Sequence, residues 1–583
     1  MEQKTICELV REAEKNDEMG ATRSSEYVSS SMREDINITE AYLNSKHTSG
    51  ERDYIGREKP FFNIVVAARN IWYRATDIDM KNIRVIATKE SDEIKAFLAT
   101  ILLQAWMRKV QFGKFLNDWG LSLATHGSAI SKFIEKDKEL NCRVMDWNNM
   151  LVDAIDFGGN LKIEKLWFTP AQLKRQKGYN QNLVDKLLDN LTTRETMGGE
   201  KKDNKSGYIP VYEAHGELSL SLLTDDEDDE DTFVQQVHVV TFQQKKDNAE
   251  EYDEYTLYSG REAKEPNHID HLIKKDGQTY TGGAVKNLFE AQWMINHNQK
   301  LIKDKLDNSK DIYQTSDGSF VGQNVTTNIE DGDILTHKPN EPLTKVNNQP
   351  DIVGLQAFKA DWQAIANQIV GISEAMSGQN PPSGSAWRQT QALLQESHSL
   401  FELMTENKGL AIKEMLTTYV IPYFKKQLDT TDEISAILED YQIKEIDARF
   451  VPSEAMRRVN QKKKEAILNG EIYDSFQEAG NMALATTDIQ SALKGNQRFI
   501  KPSDIPSTTW KKVMKDLEWD LEIDVTGEAK DIQGTMATLT TVLQTIAGNP
   551  MILQDPNAKL VFNRILSLSG GISPLEIKAS QPA

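Results

Sequence analysis

Two amphipathic stretches separated by a short β-rich segment constrain this chain more than any other feature of its 583 residues. Residues 284–308 and 351–371 repeat apolar side chains at three- and four-residue intervals, the pattern of a helix with one buried face. These apolar positions are Leu288, Ile295 and Ile302 in the first stretch and Leu355, Phe358, Trp362, Ile365 and Ile369 in the second. Residues 309–350 carry Asp-Gly turn signals and strand-like runs, and are too few to fold alone. The order predicts a helical hairpin with a β-rich tip that projects from the body of the protein.

A segment without regular structure is predicted after this hairpin. Residues 373–386 are rich in Gly, Pro and Ser, a composition that forbids a regular helix or strand. No Lys or Arg occurs from position 371 to 387. A long helix is predicted over residues 387–426, and Pro422 is expected to bend its end.

The first half of the chain changes period near Gly127. Residues 1–50 are polar and charged with little apolar content, which predicts a partly exposed N-terminal arm. Helices are predicted over 61–73 and 91–125, with a break at Gly113 in the second and an end at Gly127. The sequence then alternates between apolar and polar residues, which predicts the strands of a mixed α/β module. The expected fold class is therefore α+β, mainly α-helical.

The last part of the chain is predicted to be helical and contains one dense basic cluster. Amphipathic helices are predicted over residues 453–469, 473–484, 536–547 and 558–567. The basic cluster consists of Arg457, Arg458, Lys462, Lys463 and Lys464. Such a cluster is either a solvated helix face or a surface that meets an acidic neighbouring subunit or nucleic acid.

Motifs of known chemistry are missing from the sequence. It contains no GxxxxGK[ST], HExxH, GxSxG or GxGxxG, so a P-loop motor and the common hydrolase and dinucleotide-binding classes are excluded on their best markers. The 88 Asp and Glu residues make carboxylate pairs common by chance. We therefore predict a protein that is not an enzyme and that uses no cofactor and no metal.

Four histidines and one acidic run are candidate sites. His268, Asp270 and His271 form a weak metal pattern, and exposed polar residues are the simpler interpretation. His126 is interpreted as a helix-end histidine near the C-terminal dipole rather than a catalytic base, and His215 is interpreted in the same non-catalytic way. The acidic run at 224–232 is interpreted as a solvated loop between strands, with a divalent-metal site as the alternative.

Charge and hydropathy limit the environment and the partners. No apolar run approaches the roughly 18–20 residues that span a bilayer, and the N-terminus has no apolar signal region, so a soluble protein that acts where it is made is expected. Two cysteines, far apart, predict neither a disulfide nor a zinc site. The net charge of −20 argues against wrapping nucleic acid, because that requires a basic surface. An acidic surface can still face DNA if its role is to let the DNA slide and not to hold it.

Four segments of the chain carry a family resemblance. The main one is IVGISEAMSGQNPPSGSAWRQT at 369–390, followed by LLQESHSLFELMTENKG at 393–409. The other two are RDYIGREKPFFN at 52–63 and VMDWNNMLVD at 144–153. Together with the order of the central elements, these segments resemble the portal proteins of tailed bacteriophages, and the overall character is similar to the portals of crAss-like phages. The resemblance covers about residues 50–570.

The resemblance implies a subunit of a dodecameric ring with wing, stem, clip and crown regions. By element order these are a 1–50 N-terminal arm, a 51–283 wing, a 284–308 first stem helix, a 309–350 clip, a 351–372 second stem helix, a 373–386 tunnel loop, a 387–499 long helix and wing return, and a 500–583 crown. The residues implied to line the channel are Ser373, Glu374, Ser377, Gly378, Gln379, Asn380, Pro381, Pro382, Ser383, Gly384 and Ser385.

The resemblance also implies partners and a location. The ring would sit at the capsid vertex of the virion after assembly in the host bacterial cytoplasm. It would pass double-stranded DNA without sequence specificity and contact the major capsid protein, the terminase large subunit and then head–tail adaptor proteins, with no membrane involved.

Composition and resemblance agree on mechanism. Twelve copies, each with a net charge of −20, give a ring with a net charge of roughly −240. The negative potential of such a ring repels phosphate, so DNA is not bound tightly. Only one apolar stripe of the hairpin can pack on its own partner helix, so the other is expected to pack on neighbouring subunits. The alternatives are another virion assembly or scaffold protein, and a carboxylate-dependent hydrolase.

Overall fold

A computed structural model describes most of the chain. The described residues are 4–18, 31–78, 80, 83–86, 93–136, 139–196, 207–224, 231–245, 251–307, 312–314, 344–346, 352–372, 387–429, 434–437, 440–469, 475–492, 497–500, 509–515 and 517–523. Within them the fold is mixed α+β with helix as the larger share, so the expected fold class is confirmed.

The first half combines helices with most of the strands. Its helices are α1 Ile6–Glu18, α2 Met32–Leu43, α3 Val65–Ala75, α4 Glu93–Lys109, α5 Phe112–His126, α6 Pro170–Arg175, α7 Gln181–Thr196, α8 Ser221–Thr224 and α9 Ala284–Asn287. Its strands are β1 Ile83–Ile86, β2 Ser128–Lys136, β3 Glu139–Val144, β4 Met150–Leu151, β5 Lys162–Phe168, β6 Ile209–Ser219, β7 Phe233–Gln244, β8 Tyr252–Arg261 and β9 Asn267–His271, with a 3₁₀ turn at Trp147–Asn149.

The second half is mainly helical. Its helices are α10 Phe289–Asp307, α11 Val353–Ile369, α12 Trp387–Met415, α13 Ile421–Gln427, α14 Asp440–Leu468, α15 Ser475–Ala492 and α16 Trp510–Val513, with a π-helical turn at Leu416–Val420. Its strands are β10 Ile312–Gln314, β11 Thr344–Val346, β12 Ile434–Ile437, β13 Gln497–Ile500 and β14 Asp520–Ile523.

All strand pairs of the described residues are antiparallel. The largest sheet has the order β4-β5-β6-β7-β8, and a second sheet has the order β3-β2-β9. In the second sheet Ser128 pairs with His271, so β9 returns the chain to the end of α5 just before the hairpin begins. Three two-stranded pairs complete the sheets: β1 with β14, β10 with β11, and β12 with β13.

The main hydrophobic core lies between α3, α4, α5, α12 and the three-stranded sheet. It is built on large buried side chains such as Trp72, Trp119 and Phe401. Trp510 is fully buried in the same core, and Ile523 of β14 pairs with Ile83 of β1. Residues 509–515 and 517–523 therefore pack with the main core, although the predicted division placed them in a C-terminal crown.

The N-terminal residues are integrated into the fold. Ile6, Cys7 and Val10 of α1 are buried against the five-stranded sheet, and Met32 and Ile36 of α2 are buried in a cluster with Trp147. The other sides of α1 and α2 are exposed, so the two helices are partly exposed as predicted, and they pack on the body of the protein through their buried sides. The few apolar residues there are spaced three or four apart, which is enough for one buried side.

One of the two helix boundaries predicted at glycines differs from the structure, and the other is confirmed. The break after α4 occurs at Gln111, which adopts φ 55°, and Gly113 lies inside α5. Gly127 ends α5 as predicted, with φ 72° and its N–H donating to the Leu123 carbonyl at 2.8 Å. A side chain at Gly127 would place its Cβ 2.4 Å from the Gly282 carbonyl oxygen, so packing as well as backbone conformation requires glycine.

Pro422 marks the expected irregularity at the end of the long helix. Proline has no N–H, so Pro422 cannot donate to the carbonyl of Thr418 as a helical residue would. The chain forms a π-helical turn over Leu416–Val420, and Lys264 Nζ donates to the Thr418 carbonyl instead, at 2.9 Å.

Candidate functional site

The predicted hairpin is present. The chain leaves the core along α10, and it returns along α11, which packs against α10. Strands β10 and β11 pair antiparallel, with Ile312 opposite Val346, so the two helices run in opposite directions. At 19 residues α10 is about 28 Å long. The predicted ranges 284–308 and 351–371 are shortened at their ends, and Leu288 separates α9 from α10.

Two buried amides fix the base of the hairpin. Gln292 accepts a hydrogen bond from the Ile64 N–H at 2.9 Å and donates to the Phe62 carbonyl at 2.7 Å, and Asn296 accepts from the Phe62 N–H at 3.0 Å. These bonds hold residues 62–64 outside a helix, which explains why α3 begins at Val65 and not at position 61. The side chains of α10 thus replace the first turn of the predicted helix.

Polar contacts tie the outer part of the hairpin to the segment before α3. Arg57 forms an ion pair with Asp304 at 2.8 Å, and Lys303 donates to the Glu58 carbonyl at 2.8 Å. From α11, Lys359 donates to Gln299 at 2.9 Å and lies 4.0 Å from the centre of the Phe62 ring. The hairpin is therefore held in one orientation on the body.

The predicted packing residues divide into two sets. Leu288, Ile295 and Ile302 are buried, and Leu355 and Trp362 are half-buried on the side of α11 that faces α10. Phe358, Ile365 and Ile369 are 43, 42 and 48% exposed. These last three follow an i, i+7, i+11 spacing and form one apolar stripe along α11, here called the exposed stripe. Their predicted packing role, which includes contact with neighbouring subunits, stays a prediction.

The basic cluster lies on α14, where its members point in different directions around the helix and all except Lys463 are exposed. Arg457 and Arg458 pair with Glu454 at 2.7 and 3.3 Å, and Lys463 pairs with Glu478 of α15 at 2.7 Å. Helices α14 and α15 pack through a small separate core of Val451, Ala455, Val459, Ala485 and Ile489. An exposed position fits a solvated face, a subunit contact and a nucleic-acid contact equally.

Several predicted features lie outside the described residues. They are the tunnel loop at 373–386, all of the 309–350 tip except β10 and β11, the acidic residues 225–230, and the helices at 536–547 and 558–567. The role of these segments stays a prediction.

The histidines weighed as sites are parts of the framework. His126 ends α5 as expected; burial lowers its pKa to about 3, so it is neutral at pH 7 and its Nδ1 lies 3.2 Å from the Tyr280 hydroxyl. His268 lies on strand β9 rather than on a loop and contacts Asp270 at 3.0 Å. Asp270 also accepts from Trp119 Nε1 at 2.9 Å, which makes it a buried structural acceptor.

A buried charge network joins the two larger sheets, and the sequence analysis did not predict it. Lys132 of β2 is fully buried and lies 2.8 Å from Glu164 of β5 and 3.1 Å from Glu213 of β6. Both ring nitrogens of His215 face carboxylates, Glu213 at 3.1 Å and Glu262 at 3.0 Å. Only an imidazolium can donate from both nitrogens, so His215 carries a charge here.

Shifts in pKa follow from this geometry. Burial alone would lower the pKa of His215, but its hydrogen bonds to Glu213 and Glu262 raise it above the ordinary value. Burial would raise the pKa of Glu213, but His215 and Lys132 hold it far below its usual range. Two outer pairs, Arg143–Glu164 at 2.6 Å and Lys162–Glu265 at 3.2 Å, balance the network at four positive and four negative groups.

Two further features are absent from the described part of the chain. There, no group of three or more His, Cys, Asp or Glu side chains is arranged to hold a metal ion. None of the helices described is both long and apolar enough to cross a membrane.

Comparison with known proteins adds no relative. No protein-family model matches the chain, and no curated protein is significantly similar to it.

Proposed function

We propose that the chain is a non-enzymatic subunit of a tailed-phage portal: a ring channel at the capsid vertex through which viral DNA is packaged and ejected. The observation that carries this proposal is the hairpin held on the body by α10, with the exposed stripe of α11 left uncovered by its own chain. The segments that resemble portals, above all residues 369–390, supply the identity of the ring.

The exposed stripe favours contact between subunits. Phe358, Ile365 and Ile369 span about 16 Å along α11 and are each more than 40% exposed. Apolar surface arranged in a row gains free energy when a partner removes it from water. A hairpin that offers one side to its own partner helix and another to a neighbour is suited to a ring of identical subunits.

The charge of the chain favours passage of DNA over tight binding. A formal charge of −20 per subunit gives roughly −240 for twelve, and phosphate is repelled from such a surface. Within the dense basic cluster, Arg457, Arg458 and Lys463 are already paired with carboxylates. Double-stranded DNA would therefore move through the ring without sequence-specific contacts. Terminase, the adaptor proteins and the major capsid protein would bind the outside of the same ring.

The oligomeric state of stripe variants tests the proposal. Phe358→Glu with Ile365→Glu places two charges in the exposed stripe, and Gln356→Glu with Gln368→Glu places the same two charges at exposed polar positions of the same helix. By native mass spectrometry the parent chain is expected to form a closed ring of about twelve subunits. The stripe variant should lose it with an unchanged circular dichroism spectrum, and the control should keep it. Equal assembly of both variants would contradict the role of the stripe.

A further inference from the structure

Helix α12 presents an acidic and apolar face to solvent. From residue 401 onwards, Phe401, Met404 and Ile412 bury one side of this helix in the main core. On the opposite side, Leu403 and Leu410 are about half exposed or more. The exposed carboxylates on this side are Glu402, Glu406 and Glu414. Positions 402, 403, 406, 410 and 414 fall within about 120° of one another around the helix, so they form a single face, the acidic face.

Helix α14 presents a face of opposite charge. Met456, Ile467 and Leu468 are more than half exposed, and Arg457 and Lys464 lie among them at helical spacing. Positions 456, 457, 464, 467 and 468 again fall within about 120° around the helix. These five side chains form the basic face, directed away from the small core that α14 shares with α15.

The two faces match in length, polarity and charge. Each runs over 13 residues, from 402 to 414 and from 456 to 468, and the two end residues are about 18 Å apart along the helix. Each combines exposed apolar side chains with charges of a single dominant sign. Among the residues that the structure describes, Glu402, Glu406 and Lys464 have no ion-pair partner. Lys413, which also lies on the acidic face, is paired with Asp520 at 2.8 Å, and Arg457 of the basic face is paired with Glu454 at 2.7 Å.

Neither face covers the other within one chain, because both are exposed together in the same molecule. A second copy of this chain offers each face its complement. We infer that the basic face of α14 in one copy docks on the acidic face of α12 in the next. The apolar side chains supply buried area, and the opposite charges select the partner and its register.

This contact is heterologous, since the two faces differ, and a repeated heterologous contact closes a ring when the rotation between copies allows it. The inference thus rests on the proposed ring and names a second contact within it, distinct from the exposed stripe. It also gives a role to two members of the basic cluster, Arg457 and Lys464: a chain of net charge −20 gains local attraction between copies that otherwise repel each other.

Charge reversal with mixing tests the inference. One variant carries Glu402→Lys and Glu406→Lys, and the other carries Arg457→Glu and Lys464→Glu. Alone, each variant places charges of the same sign on the two faces that meet, which should raise the protein concentration needed for assembly by about tenfold or more. Mixed one to one, every contact in an alternating assembly is complementary again, so assembly should recover. Native mass spectrometry of the mixture should then show equal numbers of the two variants.

A matched control uses the other side of α14. Arg458→Glu with Lys462→Glu makes the same charge change at two exposed positions that lie away from the basic face, and it should assemble as the parent does. Normal assembly of both test variants, or failure of the mixture to recover, would overturn the inference. Loss of DNA binding by the Arg457→Glu and Lys464→Glu variant, with assembly unchanged, would overturn it in favour of a nucleic-acid surface.

The test separates the contact from the proposed function. If the parent chain forms a ring and both charge-reversal variants form it equally well, the portal proposal stands and the contact between α12 and α14 is rejected. If the parent chain stays monomeric, the proposed ring is rejected. Sedimentation of the two variants mixed at high concentration then decides the contact itself: a one-to-one complex absent from either variant alone supports it, and its absence rejects it.

Discussion

Replacing Lys132 by methionine removes the central cation of the buried charge network with little change of volume. The side chain of Lys132 is fully buried between Glu164 and Glu213, at 2.8 and 3.1 Å. Breaking a buried pair by removing one partner costs about 3–5 kcal/mol, because the remaining charge stays buried without compensation. Arg143 still contacts Glu164 and His215 still contacts Glu213, so we expect the lower end, about 3 kcal/mol.

Urea unfolding and hydrogen exchange measure this cost. The exchange of amides in β2, β5 and β6 should accelerate by about a hundredfold, which corresponds to about 3 kcal/mol in the free energy of opening. The control is Arg143→Met, whose side chain is 41% exposed and whose loss should cost about 1 kcal/mol or less. Restoring neutrality with Glu213→Gln in the Lys132→Met background should recover part of the loss. Equal effects of Lys132→Met and Arg143→Met would refute the assignment of a buried, compensated charge.

Three further predictions rest on separate features. Burial lowers the pKa of Lys408 to about 8, so the protonated side chain destabilises the fold. The free energy of unfolding should therefore rise by up to about 3 kcal/mol as pH increases from 8 towards 10.5. Urea midpoints measured across that range should show this rise, and Lys408→Met should lack it. Gln292→Leu leaves the Phe62 carbonyl and the Ile64 N–H without their hydrogen-bond partner and should lower the free energy of unfolding by about 2 kcal/mol. Amide hydrogen exchange should become faster only in the segment before α3. A uniform increase in exchange along the chain would contradict this. Deleting residues 379–385 should leave the ring mass unchanged while impairing DNA packaging or retention, and loss of the ring itself would show that the loop is misplaced.

His215 gives the charge network a direction of pH dependence. Its pKa is raised in the folded state, so the stability it contributes is complete below its ordinary value of 6.5 and is lost as pH rises through the folded value. The pKa of Glu213 is lowered, so its contribution is present above 4.5 and is lost as pH falls through the folded value. The network should therefore stabilise the sheets most between these ordinary values, as unfolding at a series of pH values would show. His215→Gln should remove the loss at higher pH.

Local periodicity was sufficient to predict the hairpin and the fold class. Apolar spacing in 284–308 and 351–371 depends only on the helical repeat, so both helices could be predicted without knowing what they pack against. Helix ends were less predictable when distant side chains decided them. The start of α3 is set by Gln292 and Asn296, more than 200 residues further along the chain.

Pairing across the sheets was beyond prediction from sequence. Lys132 lies at a buried position of β2, but its partners come from β5 and β6, and no local pattern shows which strands will be neighbours. For the same reason the position of β14 could not be predicted from the sequence, since its pairing with β1 joins positions more than 400 residues apart. The exposed stripe could be predicted as an apolar pattern, but which of its members face α10 and which face solvent required the structure.

The mass and symmetry of the purified protein test the central proposal most directly. Native mass spectrometry with negative-stain imaging should show a closed ring of about twelve subunits around a central hole. A monomer or dimer that persists at all concentrations, with or without the phage scaffold present, would contradict a portal and direct attention to the carboxylates as the site of an enzyme.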